Sequence, residues 1–182
     1  GGFNYDGRWL PVASKINKRY LNKSESKFLQ INCEKGFLLN DILKLNSLIQ
    51  VFGAETSNYA IEQSLKSVQS NIISAEPTRL PFEDNYFDYV VAIGTIYTLT
   101  LVDALKAISE ISRVSKGKSF ITLATYKTEE EYFLFKEWTL LGTLMFKREE
   151  WVEILKYVNY TGDYHFTDSN TLNLIREVKS NE

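Results

Sequence analysis

The sequence predicts an α/β chain: a mainly parallel sheet with helices on both faces. Three observations lead there. Apolar runs short enough to be buried strands alternate with segments of helical period, the pattern of a sheet covered by crossover helices. Hydrophobic residues make up 44% and charged residues 24% of the 182 residues, which suits one core of ordinary size. From Asp163 onward the alternation gives way to two strand-like runs separated by "SN", so an antiparallel hairpin is expected at one edge.

Taken in order, "KFLQINC" is a first strand and "GFLLNDILKL" the helix after it. "LIQVFGAE" is a second strand, followed by "NYAIEQSLKSV", a helix that Ser57 or Asn58 can cap. A short third strand, "SNIIS", leads into a proline-bearing loop, and "FDYVVAI" is a fourth. "LVDALKAISEISRV" places Val102, Leu105, Ile108 and Ile111 on one helical face before the fifth strand, "SFITLATY". Thr128 and Glu131 have capping-box spacing, which opens a helix over 129–141. In "REEWVEILKYVNYTG", Trp151, Ile154, Leu155 and Val158 form an apolar stripe, with Gly162 as the expected stop. "DYHFTD" and "TLNLIREVK" then bring the expectation to seven strands with the last one reversed. Residues 1–182 read as a single domain, of which 1–25 form an N-terminal segment.

Several function classes lose support at this level. Cys33 has no second cysteine to pair with, and with His165 as the only histidine a Cys/His metal cluster is excluded; no metal is expected. Cys33 ends an apolar run and reads as a small core residue, and His165 as a structural or exposed one. A formal charge of −2, with no basic cluster beyond "KINKRY", argues against nucleic acid as a partner. No apolar run is long enough to span a bilayer, and "GGFNYDGRWLP" lacks a basic region followed by an apolar one, so a cytoplasmic setting is expected.

The stretch "FLQINCEKGFLLNDIL" is a strand, a tight turn and a helix, an arrangement that aims backbone N–H groups and a helix N-terminus at a ligand. Glu55, at the end of the second strand about twenty residues on, holds the place of an acid that binds ribose hydroxyls. "AEPTRLPFEDNYFDYVVAIGTIYTL" then resembles the class I S-adenosylmethionine-dependent methyltransferases, particularly the small type 11 group. That group often carries L-P-F-x-D-x-x-F-D before the fourth strand. Here the motif is Leu80, Pro81, Phe82, Glu83, Asp84, Asn85, Tyr86, Phe87 and Asp88.

The resemblance runs from about Gly7 to Phe166. It implies a Rossmann-like class I methyltransferase fold whose seven-stranded sheet ends in a reversed strand. It implies S-adenosylmethionine as cofactor and a methyl acceptor that is a small molecule or a protein. Carried over by position, it makes Asn32, Glu34 and Gly36 the cofactor turn, Glu55 the ribose acid and Glu76 the acceptor for the adenine amino group, with Pro77 and Thr78 flanking the adenine. Ile93, Gly94 and Thr95 fall beside the methionine portion, with Tyr97 and Leu99 nearby. The N-terminal segment would cover the cofactor and substrate cleft through Tyr5, Trp9 and Tyr20. Tyr97 and Tyr126 are candidates for a substrate pocket, with Trp138 and Phe146 on its far side, and no residue is identified as a general base.

The family's first motif reads acid, one residue, then G-x-G-x-G, and here Gln30 replaces the acid while Asn32 and Glu34 replace two glycines. Asn tolerates left-handed backbone; Glu adds bulk and a like charge near the cofactor's own carboxylate. Two functions follow. One is an active methyltransferase. The other is a methyltransferase-like subunit that has weakened or lost its cofactor and instead binds or stabilises a partner. The absence of a long insertion leaves room for a homo-oligomer or partner subunit to complete the pocket.

Overall fold

The computed structural model describes residues 3–21 and 25–174. Six strands form one sheet, all neighbours parallel: β1 (Lys27–Ile31), β2 (Gln50–Glu55), β3 (Ile72–Ser74), β4 (Tyr89–Ala92), β5 (Ser119–Ala124) and β6 (Asp163–Thr167). Their order is β3-β2-β1-β4-β5-β6. The chain therefore reverses its direction of growth between β3 and β4, and the crevice beyond the carboxyl ends of β1 and β4 is where such sheets hold ligands.

Helices α1 (Leu10–Tyr20) and α2 (Phe37–Leu45) pack on one face. Phe28, Tyr89 and Val91 meet Ala13, Ile16, Leu38, Leu39 and Ile42 there. The next helix, α3 (Asn58–Glu62), is one short turn capped by Ser57, whose Oγ accepts the N–H of Ala60 at 3.2 Å. On the opposite face α4 (Leu101–Val114) and α6 (Arg148–Tyr157) cover Leu29, Ile31, Val90, Ala92, Ile121 and Leu123. Between those two helices comes α5 (Glu129–Trp138), which opens as its spacing predicts: Thr128 Oγ1 accepts the N–H of Glu131 at 3.2 Å. Both faces of the central strands are thus buried, which is why they read as unbroken apolar runs.

Differences from the sequence expectation have local causes. The α4 face is rotated: Ala104, Ala107, Ile108, Ile111 and Val114 are buried, while Val102 is 60% exposed. Ala104 and Ala107 share the inner side with Ile108, Ile111 and Val114, so small residues as well as large ones mark it. Helix α5 ends at Trp138 instead of continuing to 141, and α6 closes at Asn159 (φ 52°) before Gly162 is reached. Among the described residues the sheet has six strands where seven are expected. β6 pairs with β5 directly and in parallel, residues 171–173 form a turn, and the rest of the expected reversed strand lies outside the described residues.

The motif Leu80–Asp88 proves to be a structural clamp. Arg113 donates through Nη2 to Leu80 O (2.9 Å), through Nη1 to Phe82 O (2.8 Å) and Asp84 Oδ1 (2.8 Å), and through Nε to Glu110 Oε1 (2.7 Å). Glu110 Oε2 in turn accepts the N–H of Leu80 at 2.7 Å. The rings of Phe82, Tyr86 and Phe87 close around Phe52, with centroids 5.3–6.3 Å from it. Asp88 accepts from Lys27 N and Lys116 Nζ, each at 2.9 Å, which joins the start of β1 to the turn after α4.

Candidate cofactor and substrate cleft

A cleft of about 880 Å³ opens beyond the carboxyl ends of β1, β2 and β4. Its floor is the turn after β1. Asn32, Glu34 and Gly36 have φ of 50°, 53° and 72°, so the three positions at which the family pattern carries glycine all keep left-handed backbone. Only Gly36 is also short of room: a Cβ there would lie 2.6 Å from Val68 Cγ2. Asn32 and Glu34 adopt the conformation at a cost that glycine would avoid.

Glu55 fixes this turn to the end of β2. Its Oε2 accepts the N–H of Glu34 at 2.7 Å, and its Oε1 accepts those of Thr56 (3.0 Å) and Ser57 (2.9 Å). Two further donors of the turn are spent: Cys33 N–H on Ala54 O of β2 at 3.3 Å, and Gly36 N–H on Cys33 O within the turn at 2.9 Å. Two buried oxygens on residues that line the cleft, Gln30 Oε1 and Asn32 Oδ1, have no hydrogen-bond partner among the described residues. Burial, with the charges of Glu55 and Glu34 adding to it, drives the Cys33 thiol far above its usual range, which leaves it a neutral core group. Burial raises the Tyr97 phenol as well, and the carboxylate of Glu34 adds to that shift.

The far wall was not visible in the sequence as a unit. Tyr97 O accepts the N–H groups of Thr143 (2.8 Å) and Leu144 (2.9 Å), and Lys136 Nζ donates to Gly142 O at 2.8 Å. These bonds hold Trp138, Thr139, Leu140 and Leu141 against the cleft opposite the turn. On the β4 side, Gly94 (φ 75°) donates its N–H to Thr122 Oγ1 at 2.7 Å, which fixes Ile93 and Gly94 in the lining.

Of the residues singled out from the sequence, Asn32, Glu34, Glu55, Ile93, Gly94, Trp9, Tyr97 and Trp138 line this cleft, and Gly36 lies buried within its floor. Glu76 and Pro77 do not line it. They follow the edge strand β3, where the chain turns back (Arg79 N to Glu76 O, 3.1 Å) toward the Arg113 clamp; Glu76 is exposed and Pro77 buried. Thr78 lines a separate shallow groove. Tyr5 also lies outside the lining: its hydroxyl donates to the fully buried Asp41 at 2.5 Å and accepts from Lys44 at 2.9 Å. Tyr126 packs on Tyr132, Phe146 on Trp151, and Tyr20 stacks on Tyr89 while donating to Asp163. His165 sits on β6, exposed.

Among the described residues there is no group of three or more His, Cys, Asp or Glu able to hold a metal ion, and no helix long and apolar enough to cross a membrane. The residues present fit an adenosyl ligand in two respects. A left-handed turn lets backbone approach closely, and the unpartnered oxygens of Gln30 and Asn32 suit a donor such as an ammonium.

Comparison with known proteins agrees with this architecture. A Bacillus halodurans C-125 protein described as a methyltransferase superposes with a TM-score of 0.64 at 14% identity, over 80% of this chain and 67% of that one. A Methanococcus maripaludis protein described as an S-adenosyl-L-methionine-dependent methyltransferase gives 0.60 at 20% identity, over 83% and 74%. A Haloferax volcanii chain, solved in complex with the Trm112 methyltransferase activator, gives 0.58 at 13% identity, over 83% and 75%. These likenesses show the fold. No curated protein sequence matches. The family described as "Methyltransferase domain" matches residues 29–123, more than half of the 182-residue chain and the whole span from β1 to β5 that builds the floor of the cleft. By that match the chain belongs to the methyltransferase domain family.

Proposed function

We propose that the chain is an S-adenosylmethionine-dependent methyltransferase acting on an apolar or aromatic group of a small molecule or protein. The observation that carries this reading is the turn itself: positions 32, 34 and 36 keep left-handed backbone although two of them are no longer glycine. Holding Asn and Glu in this conformation keeps the shape that lets backbone approach a ligand closely at the end of β1. Glu55 would meet the ribose hydroxyls with the acceptor capacity its three backbone bonds leave, and Gln30 and Asn32 would accept from the ammonium. S-adenosylmethionine supplies a methyl group already activated on sulfur. The chain's own task is then alignment and exclusion of water. Trp9, Tyr97, Trp138, Leu140 and Leu141 supply an apolar wall for that purpose, and the N-terminal segment closes one side through Trp9. The exposure of Leu140 and Leu141, 97% and 72%, is consistent with a large acceptor or a partner subunit completing the site.

Calorimetric titration with S-adenosylmethionine and S-adenosylhomocysteine tests the reading. Saturable binding is expected, weakened in Glu55→Ala. A folded chain that binds neither and transfers no labelled methyl group would leave the alternative, a non-catalytic subunit that binds or stabilises a partner.

A further inference from the structure

On helix α2, Phe37, Asp41 and Lys44 share one stripe at i, i+4 and i+7, and a single side chain of the N-terminal segment touches all three. The Tyr5 ring meets Phe37 edge-on at 5.6 Å, and its hydroxyl donates to Asp41 Oδ1 at 2.5 Å. Lys44 Nζ donates to that hydroxyl at 2.9 Å and lies 4.5 Å from the ring centre. Asp41 is fully buried; its Oδ1 also accepts from Asn40 Nδ2 at 3.2 Å, while its Oδ2 has no hydrogen-bond partner among the described residues. A carboxyl oxygen kept from water without a donor opposes the packing that covers it. The Tyr5 seat therefore combines one short bond that favours docking with one bare oxygen that resists it.

This seat is closely joined to the cleft. Asp6 binds the backbone N–H of Arg8 at 3.0 Å and its Nη2 at 2.6 Å, and Leu10 N–H bonds Gly7 O at 3.0 Å. Trp9, within that compact turn, is the N-cap of α1 and lines the cleft. On the other side of Tyr5, the carbonyl of Phe3 accepts from Lys35 Nζ, on another lining residue, at 2.9 Å. The far end of α1 is pinned to the sheet, where Tyr20 stacks on Tyr89 at 4.1 Å and donates to Asp163.

We propose that residues 3–9 form a strap over one side of the cleft and that the Tyr5–Asp41 bond is its latch. Closed, the strap holds Trp9 in the lining. Released, it lets Trp9 leave and lets water reach Asp41 Oδ2. Tyr5 and Asp41 are positioning residues that act through Trp9, and the ligand enclosed by the strap rests on the adenosyl-binding reading above.

Trp138→Phe leaves two of the three tryptophans, Trp9 and Trp151, and Trp151 is fully buried, so acrylamide quenching of that variant without ligand reports on Trp9. Adding Tyr5→Phe removes the hydroxyl alone. The quenching constant should rise about twofold or more, and in the chain that keeps Trp138 the dissociation of S-adenosylhomocysteine, read by surface plasmon resonance, should speed up about two- to tenfold. Lys44→Met, which removes the exposed partner of the same hydroxyl, should move both values less. Arg113→Met, whose bonds lie in the Leu80–Asp84 loop, should leave Trp9 quenching as it was. Unchanged quenching in Tyr5→Phe overturns the latch, as does an equally large rise in Lys44→Met or Arg113→Met. Raised quenching with an unchanged dissociation rate overturns the strap's hold on the ligand. If S-adenosylhomocysteine does not bind the unmodified chain, the adenosyl reading falls and quenching alone decides the latch.

Discussion

Glu55 Oε2 accepts the backbone N–H of Glu34 at 2.7 Å, so a carboxylate at the end of β2 holds the turn that follows β1. The same side chain also takes the N–H groups of Thr56 and Ser57. Glu55→Ala is therefore expected to act twice. Losing three charge-assisted, part-buried bonds to backbone N–H groups should cost about 1–3 kcal/mol of stability, read as a lowered urea midpoint. Adenosyl affinity should fall further than Thr56→Ala lowers it, which calorimetry on both variants checks.

Backbone strain in the turn gives a prediction of opposite sign. Glu34→Gly relieves a left-handed conformation worth about 1–2 kcal/mol, less the entropy glycine adds to the unfolded chain, for a net gain of about 0.5–1 kcal/mol. Gly36→Ala should lose about 2 kcal/mol, since its φ of 72° and a Cβ 2.6 Å from Val68 Cγ2 are both unfavourable. Thermal melts of the two variants should shift in opposite directions.

Arg113 is expected to matter more for stability than its position on a helix surface suggests. Arg113→Met removes the donor to Leu80 O and Phe82 O and leaves Glu110 with only the Leu80 N–H, and the cost should be about 2–3 kcal/mol. The exposed Lys156–Glu153 pair at 2.7 Å is the control: Glu153→Ala should change stability by less than about 0.5 kcal/mol. Equal effects in denaturant titrations would remove the clamp from the account.

Acid should destabilise the fold through the three partly buried carboxylates held below their ordinary range, Glu110, Asp88 and Asp168. For Glu110 the Arg113 bonds are the main cause. For Asp88 and Asp168 burial pushes upward, but Lys27 N and Lys116 outweigh it at Asp88, as Thr171 N and Arg148 do at Asp168. A depressed folded-state pKa stabilises above the unfolded value and loses that contribution as pH falls through the folded one. Stability should thus be flat from neutral pH to about pH 5 and fall below about pH 4, the ordinary carboxylate range. Urea midpoints measured across this range should fall less steeply in Glu110→Gln than in the unmodified chain.

Much of this molecule was legible in local sequence signals. The strand and helix alternation, the Ser57 and Thr128 caps, and the placement of Glu55 at the end of β2 depend on residues within one or two turns of each other, and the structure keeps them. The family motif at Leu80–Asp88 was legible too, although its local work is to seat a loop on Arg113. Tertiary structure alone decided the rest. Glu76 left the cleft because β3 is the edge strand and its loop is drawn to α4. Helix α4 packs with Ala104 and Ala107 inward and leaves Val102 facing out. The wall from Trp138 to Leu141 exists because Thr143 and Leu144 bond Tyr97 O, far away along the chain. Such contacts are set by which elements meet when two faces of a sheet are buried at once, and no periodicity in a single sequence encodes that meeting.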